Sequence, residues 1–137
     1  KETITVGIAE SMTGGACAHA FVQHSGISKI FKGSIVCYQD SIKSDVLRIP
    51  KTLIEAYGVV SKEVCEAMVE RAETMFKSQL TLSVTGYAET PHEAYISCKF
   101  QEKIHTKHIT FTTLNREDSI LYVVSEMIRL CKVTLFH

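Results

Sequence analysis

No excess of either charge marks this 137-residue sequence: 15 basic residues stand against 15 acidic ones. A nucleic-acid binder usually shows a basic surplus, because neutralising phosphates supplies much of its affinity. Nor does any apolar run approach the ~20 residues that span a bilayer. The five cysteines, Cys17, Cys37, Cys65, Cys98 and Cys131, are odd in number and form no CxxC pair. That argues against a zinc site and against a disulfide framework, and for buried thiols in a reducing compartment. Repeats, low-complexity tracts, linkers and a signal peptide are absent too. The expectation is one cytoplasmic domain, residues 1–137, with no nucleic-acid or membrane partner. It begins at Lys1 directly before a strand, so an N-terminal element such as a helix is expected to be missing. A chain this long buries roughly two-thirds of its unfolded surface and needs no metal or disulfide staple.

What is present is an alternation of strands and helices. Thr3–Ala9 reads as a short buried strand, and Ala16–Val22 as an alanine-rich helix after the polar turn Glu10-Ser11-Met12-Thr13-Gly14-Gly15. Gly33–Tyr38 is a second strand and Ser41–Leu47 a short helix, with Ser41 or Asp40 as its cap. Pro50 introduces a helix over Lys51–Tyr57 that Gly58 ends. Ser61 caps a long helix to Phe76, in which Val64, Met68, Ala72 and Met75 share one face. Leu80–Thr85 is a strand. Ala94–Phe100 and Ile104–Thr112 alternate as an antiparallel pair joined near Gln101-Glu102-Lys103. Asn115 caps a last helix over Arg116–Lys132, with an apolar stripe through Ile120, Val123, Val124, Met127 and Leu130. The predicted class is α/β: one three-layer α/β/α domain around a mixed sheet.

Chemistry concentrates at Ser11, Tyr38 and Lys43. Ser11 lies where a strand feeds a helix, a turn that lifts a side chain clear of the sheet beside converging backbone N–H groups. Such donors can stabilise an oxyanion or hold a phosphate. A serine needs a base to become a nucleophile, and none of the six histidines falls in a recognisable triad signature. A lysine whose pKa is lowered by burial is the alternative. If the first two strands are neighbours, Ser11, Tyr38 and Lys43 share the C-terminal rim of the sheet, the usual ligand side. On spacing alone, a serine like Ser11 is most often a turn or cap residue, a lysine like Lys43 usually a solvated charge, and a tyrosine like Tyr38 more often core than catalytic.

The stretch Ala9-Glu10-Ser11-Met12-Thr13-Gly14-Gly15 resembles the pattern A-E-S-C-T-G-G of the nicotinamide-nucleotide amidohydrolase (CinA C-terminal) family. Phe31-Lys32-Gly33-Ser34-Ile35-Val36-Cys37-Tyr38-Gln39-Asp40-Ser41-Ile42-Lys43 is similar to its F-x-G-G-V-V-T-Y-S-N-x-x-K. Gly58-Val59-Val60-Ser61 resembles the G-A-V-S that opens its long helix, and Asn115-Arg116-Glu117-Asp118 the start of its last helix. These matches keep the family's order across nearly the whole chain. The resemblance implies hydrolysis of the carboxamide of nicotinamide mononucleotide to nicotinate mononucleotide and ammonia. It makes Ser11 the nucleophile, Lys43 its general base and Tyr38 a residue that orients or relays the proton. It places substrate contacts at Glu10, Thr13, Gly14, Gly15, Thr85, Gly86 and Arg116, and implies no metal or other cofactor.

Two departures from the family pattern bear on substrate. Where the family has T-G-I-A-G-P-x-G-G, this sequence reads Thr85-Gly86-Tyr87-Ala88-Glu89-Thr90-Pro91-His92-Glu93. The later glycines are gone, the connection is shorter, and Glu89 and Glu93 add negative charge where an anionic substrate would sit. Ile120 stands where the family usually carries a second arginine. These departures keep open a domain that binds a nucleotide or a partner without turnover. His105 and His108 fall on opposite faces of a strand, which argues against a shared metal. Lys103, His105 and Lys107 suit an exposed edge. The apolar tail Val133–His137 is expected to add a strand or to pack against a second copy in a homo-oligomer.

Overall fold

Val6–Glu10 (β1) has no exposed residue, as a strand flanked on both sides and covered on both faces requires. In the computed structural model, which describes residues 4–112 and 115–136, β1 pairs in parallel with both Phe31–Val36 (β2) and Leu80–Gly86 (β3). Glu93–Phe100 (β4) runs antiparallel to β3, and Lys103–Thr110 (β5) antiparallel to β4. The sheet order is β2-β1-β3-β4-β5, a mixed sheet of five strands. The β4–β5 turn holds Gln101 and Glu102 at φ 54° and 66°, the geometry of a tight two-residue hairpin.

Ala16–Val22 (α1) and Arg116–Leu135 (α5) cover one face of the sheet. Cys17, Val123 and Met127 meet Ile8, Leu82, Val84 and Ile96 there. On the other face lie Asp40–Asp45 (α2), Lys51–Tyr57 (α3) and Lys62–Phe76 (α4). Val64, Met68 and Ala72 pack on Ala9, Cys37, Leu47 and Ile49. The result is the three-layer α/β/α arrangement. The side chains of Ser61 and Asn115 accept from the amides of Val64 (3.2 Å) and Asp118 (2.7 Å), so these two predicted caps are made. The predicted Ser41 or Asp40 cap is not, because α2 already starts at Asp40, with Gln39 at its N-cap and no side-chain cap bond. Among the described residues, no helix is long and apolar enough to cross a membrane.

The C-terminal tail departs from expectation. Val133–Leu135 continues α5 instead of forming a strand, because Met127, Cys131 and Leu135 extend the apolar stripe at helical spacing onto the same core. Phe136 follows at 80% exposure, and His137 lies outside the described residues. The predicted first strand also starts later, at Val6, with Thr3 outside the described residues. The predicted final strand ends at Thr110.

Candidate active site

The turn after β1 is organised by Glu10. One carboxylate oxygen accepts from Thr13 Oγ1 (2.7 Å) and from the amides of Gly15 (3.1 Å) and Cys17 (3.0 Å). The other accepts from the amide of Ala18 and from Ser34 Oγ, both at 2.9 Å. The side chain is fully buried. An anion at the N-terminus of α1 satisfies donors that have no partner within the helix and meets the positive end of its dipole. This corrects two expectations. Glu10 does not face the cleft, and the first amides of α1 are already taken. Thr13 spends its hydroxyl on the same carboxylate. Gly14 and Gly15 supply left-handed backbone, φ 58° and 100°, that lets the chain turn into α1, and neither lines the cleft. The amides of Met12 and Thr13 donate to no acceptor among the described residues.

Ser11 follows directly and is buried at 5% exposure. Because Glu10 pairs with Val36 in the parallel register, the chain leaves β1 and β2 side by side. The turn after β2 starts α2, which brings Lys43 back beneath Ser11. Its Nζ donates to Ser11 Oγ at 3.0 Å and to the carbonyl of Cys37 at 2.9 Å. Lys43 is 1% exposed, and no carboxylate lies within ion-pair distance of its amine among the described residues. Burial pushes its pKa below the ordinary lysine value, with Asp40 and Cys37 opposing in part. A buried amine without a counter-ion, bonded to a serine hydroxyl, is a combination that packing alone does not favour.

Ser11 and Lys43 form the buried end of a cleft of about 280 Å³. Val59 and Val60 line one side. Thr85 Oγ1 donates to the Val59 carbonyl at 2.9 Å and ties that segment to the end of β3. Gly86 cannot carry a side chain: a Cβ there would stand 2.7 Å from the Met12 sulfur and 2.6 Å from Ala94 Cβ. At the exposed end, Arg116 at the start of α5 donates to Tyr38 Oη at 3.1 Å and to Glu89 Oε1 at 3.3 Å.

Six predicted residues therefore meet in one cleft: Ser11, Tyr38, Lys43, Thr85, Gly86 and Arg116. Glu10, Thr13, Gly14 and Gly15 stand behind it. Tyr38 joins the cleft but not the dyad: it is 55% exposed, and its hydroxyl makes no hydrogen bond with Ser11 or Lys43. Sequence reasoning had not placed Asp40, Val59, Val60 or Tyr87 in the lining; Glu89, read from the sequence as negative charge at the substrate's position, does line it. The available signal was position, since all of them follow the C-terminal end of a strand or precede a helix on the same rim. Among the described residues, no three His, Cys, Asp or Glu side chains are grouped to hold a metal.

Residues 1–135 match the profile of the CinA C-terminal domain. A competence-damage inducible protein of Bacillus cereus is 34% identical over 88 residues, and one of Bacillus mycoides 33% over 88. Each match covers 64% of this chain and 21% of the relative, so the matched segment spans about a fifth of those proteins. Among solved structures, the competence damage-inducible protein A of Klebsiella pneumoniae superposes with a TM-score of 0.93 at 20% identity. The match covers 98% of this chain and 88% of that one. The competence/damage inducible protein CihA of Agrobacterium tumefaciens gives 0.90 at 21% identity, over 95% and 84%.

Proposed function

The chain belongs to the CinA C-terminal domain family, and we propose that its cleft hydrolyses a carboxamide with Ser11 as nucleophile and Lys43 as base. The observation that carries this reading is the 3.0 Å contact between Lys43 Nζ and Ser11 Oγ, made by an amine that is buried and has no counter-ion among the described residues. The substrate we assign is nicotinamide mononucleotide, the family's expected amide. The products are nicotinate mononucleotide and ammonia.

Neutral Lys43 takes the hydroxyl proton as Ser11 Oγ bonds to the amide carbon. The negative charge on the tetrahedral oxygen is met by the amide of Met12, a lining residue whose N–H Glu10 leaves unused. Lys43 returns its proton to the departing nitrogen, the C–N bond breaks, and ammonia leaves an acyl-serine. Water attacks that ester with Lys43 again as base, releasing the acid and restoring Ser11. Exposed Phe136 and Val133 support a homo-oligomer, and five buried, unpaired cysteines support a reducing compartment.

A second reading is that the domain binds a nucleotide or a protein partner without turnover. It is favoured by Arg116, whose guanidinium is already engaged by Glu89. Incubation with nicotinamide mononucleotide, with ammonia release followed for wild type and Ser11→Ala, separates the two. Release by wild type that the variant lacks supports the amidase. Binding with both proteins at background supports the second reading.

A further inference from the structure

We propose that Glu89 sets how the cleft responds to a phosphate on its substrate, by competing with that phosphate for the guanidinium of Arg116. The inference rests on the amidase reading for its substrates but not for its binding test.

Four charged side chains line the cleft: Asp40, Lys43, Glu89 and Arg116. Lys43 is committed at the buried end, where it bonds Ser11 and must be neutral to act as base. Among the described residues, Arg116 is thus the one lining cation at the mouth, and it is already engaged. Nη2 stands 3.3 Å from Glu89 Oε1, and Nη1 donates to Tyr38 Oη at 3.1 Å. The Glu89 and Arg116 side chains are 69% and 50% exposed. An ion pair this open is weak and exchanges readily with another anion. An arriving phosphate gains its charge-assisted bonds to Arg116 only when Glu89 leaves. If Glu89 stays, two negative groups share one guanidinium and repel across a short distance. A substrate without a phosphate meets neither obstacle. The cleft as built therefore gives a phosphate little advantage and accepts a nucleoside-level amide nearly as well as its 5′-phosphate.

The test compares nicotinamide mononucleotide with nicotinamide riboside. Both carry the same pyridinium, so its attraction to Asp40 and Glu89 cancels in the ratio of their kcat/KM values. Glu89→Gln keeps the side-chain shape and removes the charge. The ratio should then rise about three- to fivefold in favour of the phosphate, through KM, as expected for release of an exposed pair. Arg116→Ala in the Glu89→Gln background should cancel the rise, and added salt should shrink it. A ratio within twofold of wild type overturns the proposal. Ribose 5-phosphate binding, measured by calorimetry on wild type and Glu89→Gln, needs no turnover. If neither amide is hydrolysed, the amidase reading fails, and tighter ribose 5-phosphate binding by Glu89→Gln still supports the role of Glu89. Equal binding overturns it.

Discussion

The two ends of the cleft are built on opposite principles. At the buried end, Lys43 and Ser11 are almost wholly shielded from bulk solvent, and little water competes for their contact. At the open end, Tyr38, Glu89 and Arg116 are solvated and hold one another by contacts that water can substitute. Low local dielectric makes interactions at the first end strong and a lost partner costly; high dielectric makes those at the second weak and exchangeable. Reaction chemistry suits the first environment and substrate selection the second. Substitutions at the two ends should accordingly differ by orders of magnitude.

The largest effect is expected at Lys43. Lys43→Met removes the base while keeping an unbranched chain of similar length, and should lower kcat by about 10⁴ or more, as Ser11→Ala should. Stability should move the other way. The folded pKa of Lys43 is lowered from 10.5, so below pH 10.5 the unfolded chain binds the proton more tightly than the folded one. That penalty grows as pH falls from 10.5 to the folded pKa and is constant below it. Lys43→Met removes it, so the variant should be as stable as wild type or about 1 kcal/mol more stable at neutral pH, and not above pH 10.5. Wild-type kcat should rise with pH through the same lowered pKa, as neutral amine accumulates. A thermal melt beside the pH–rate profile checks both. A variant that loses stability along with activity would make Lys43 a packing residue.

Glu10 comes next, and its effect falls on folding. Glu10→Ala leaves three amides and two hydroxyls near the start of α1 without their acceptor. The expected loss is about 3 kcal/mol or more, a fall in Tm on the order of 10 °C. Denaturant titration measures it. A loss under about 1 kcal/mol would mean that water reaches these donors, and that the turn below Ser11 is looser than its burial suggests.

The same contrast governs what the sequence made legible. Ser11 and Lys43 could be paired in advance only through the family resemblance; the strand pattern put both on one rim if the first two strands were neighbours, and by itself left Ser11 a turn residue and Lys43 a solvated charge. The long helices and their caps at Ser61 and Asn115 were readable because helical periodicity is a strong local signal; the cap of short α2 was not. Glu10 was not. A polar residue before Thr-Gly-Gly looks the same whether it points at a ligand or under a helix, and only packing decides. Its partners at Gly15, Cys17, Ala18 and Ser34 are spread over two elements. Glu89 was visible only as a departure from a pattern. Its pairing with Arg116, 27 positions away, depends on how the loop after β3 folds back.

Tyr38 is where the comparison can be drawn most finely, because the family resemblance puts it at the reacting end and the structure puts it at the mouth. Its hydroxyl accepts from Arg116 at 3.1 Å and has no bond to Ser11 or Lys43. A proton relay would need that hydroxyl within hydrogen-bond reach of the dyad, directly or through one water. A mouth residue needs only to steady Arg116. Tyr38→Phe deletes the oxygen and little else. If Tyr38 belongs to the mouth, kcat should stay within about threefold of wild type and KM should rise by a similar factor, the loss of one exposed hydrogen bond. The increase should be about equal for nicotinamide riboside while Glu89 holds Arg116, and larger for the mononucleotide once Glu89→Gln frees the guanidinium. A relay gives a different signature: kcat lower by about 10² or more for both amides, the usual worth of a positioned proton-transfer group. Steady-state kinetics on the two substrates therefore assigns Tyr38 to one end of the cleft, and a large kcat defect would mean that substrate binding carries its ring inward from the position it holds here.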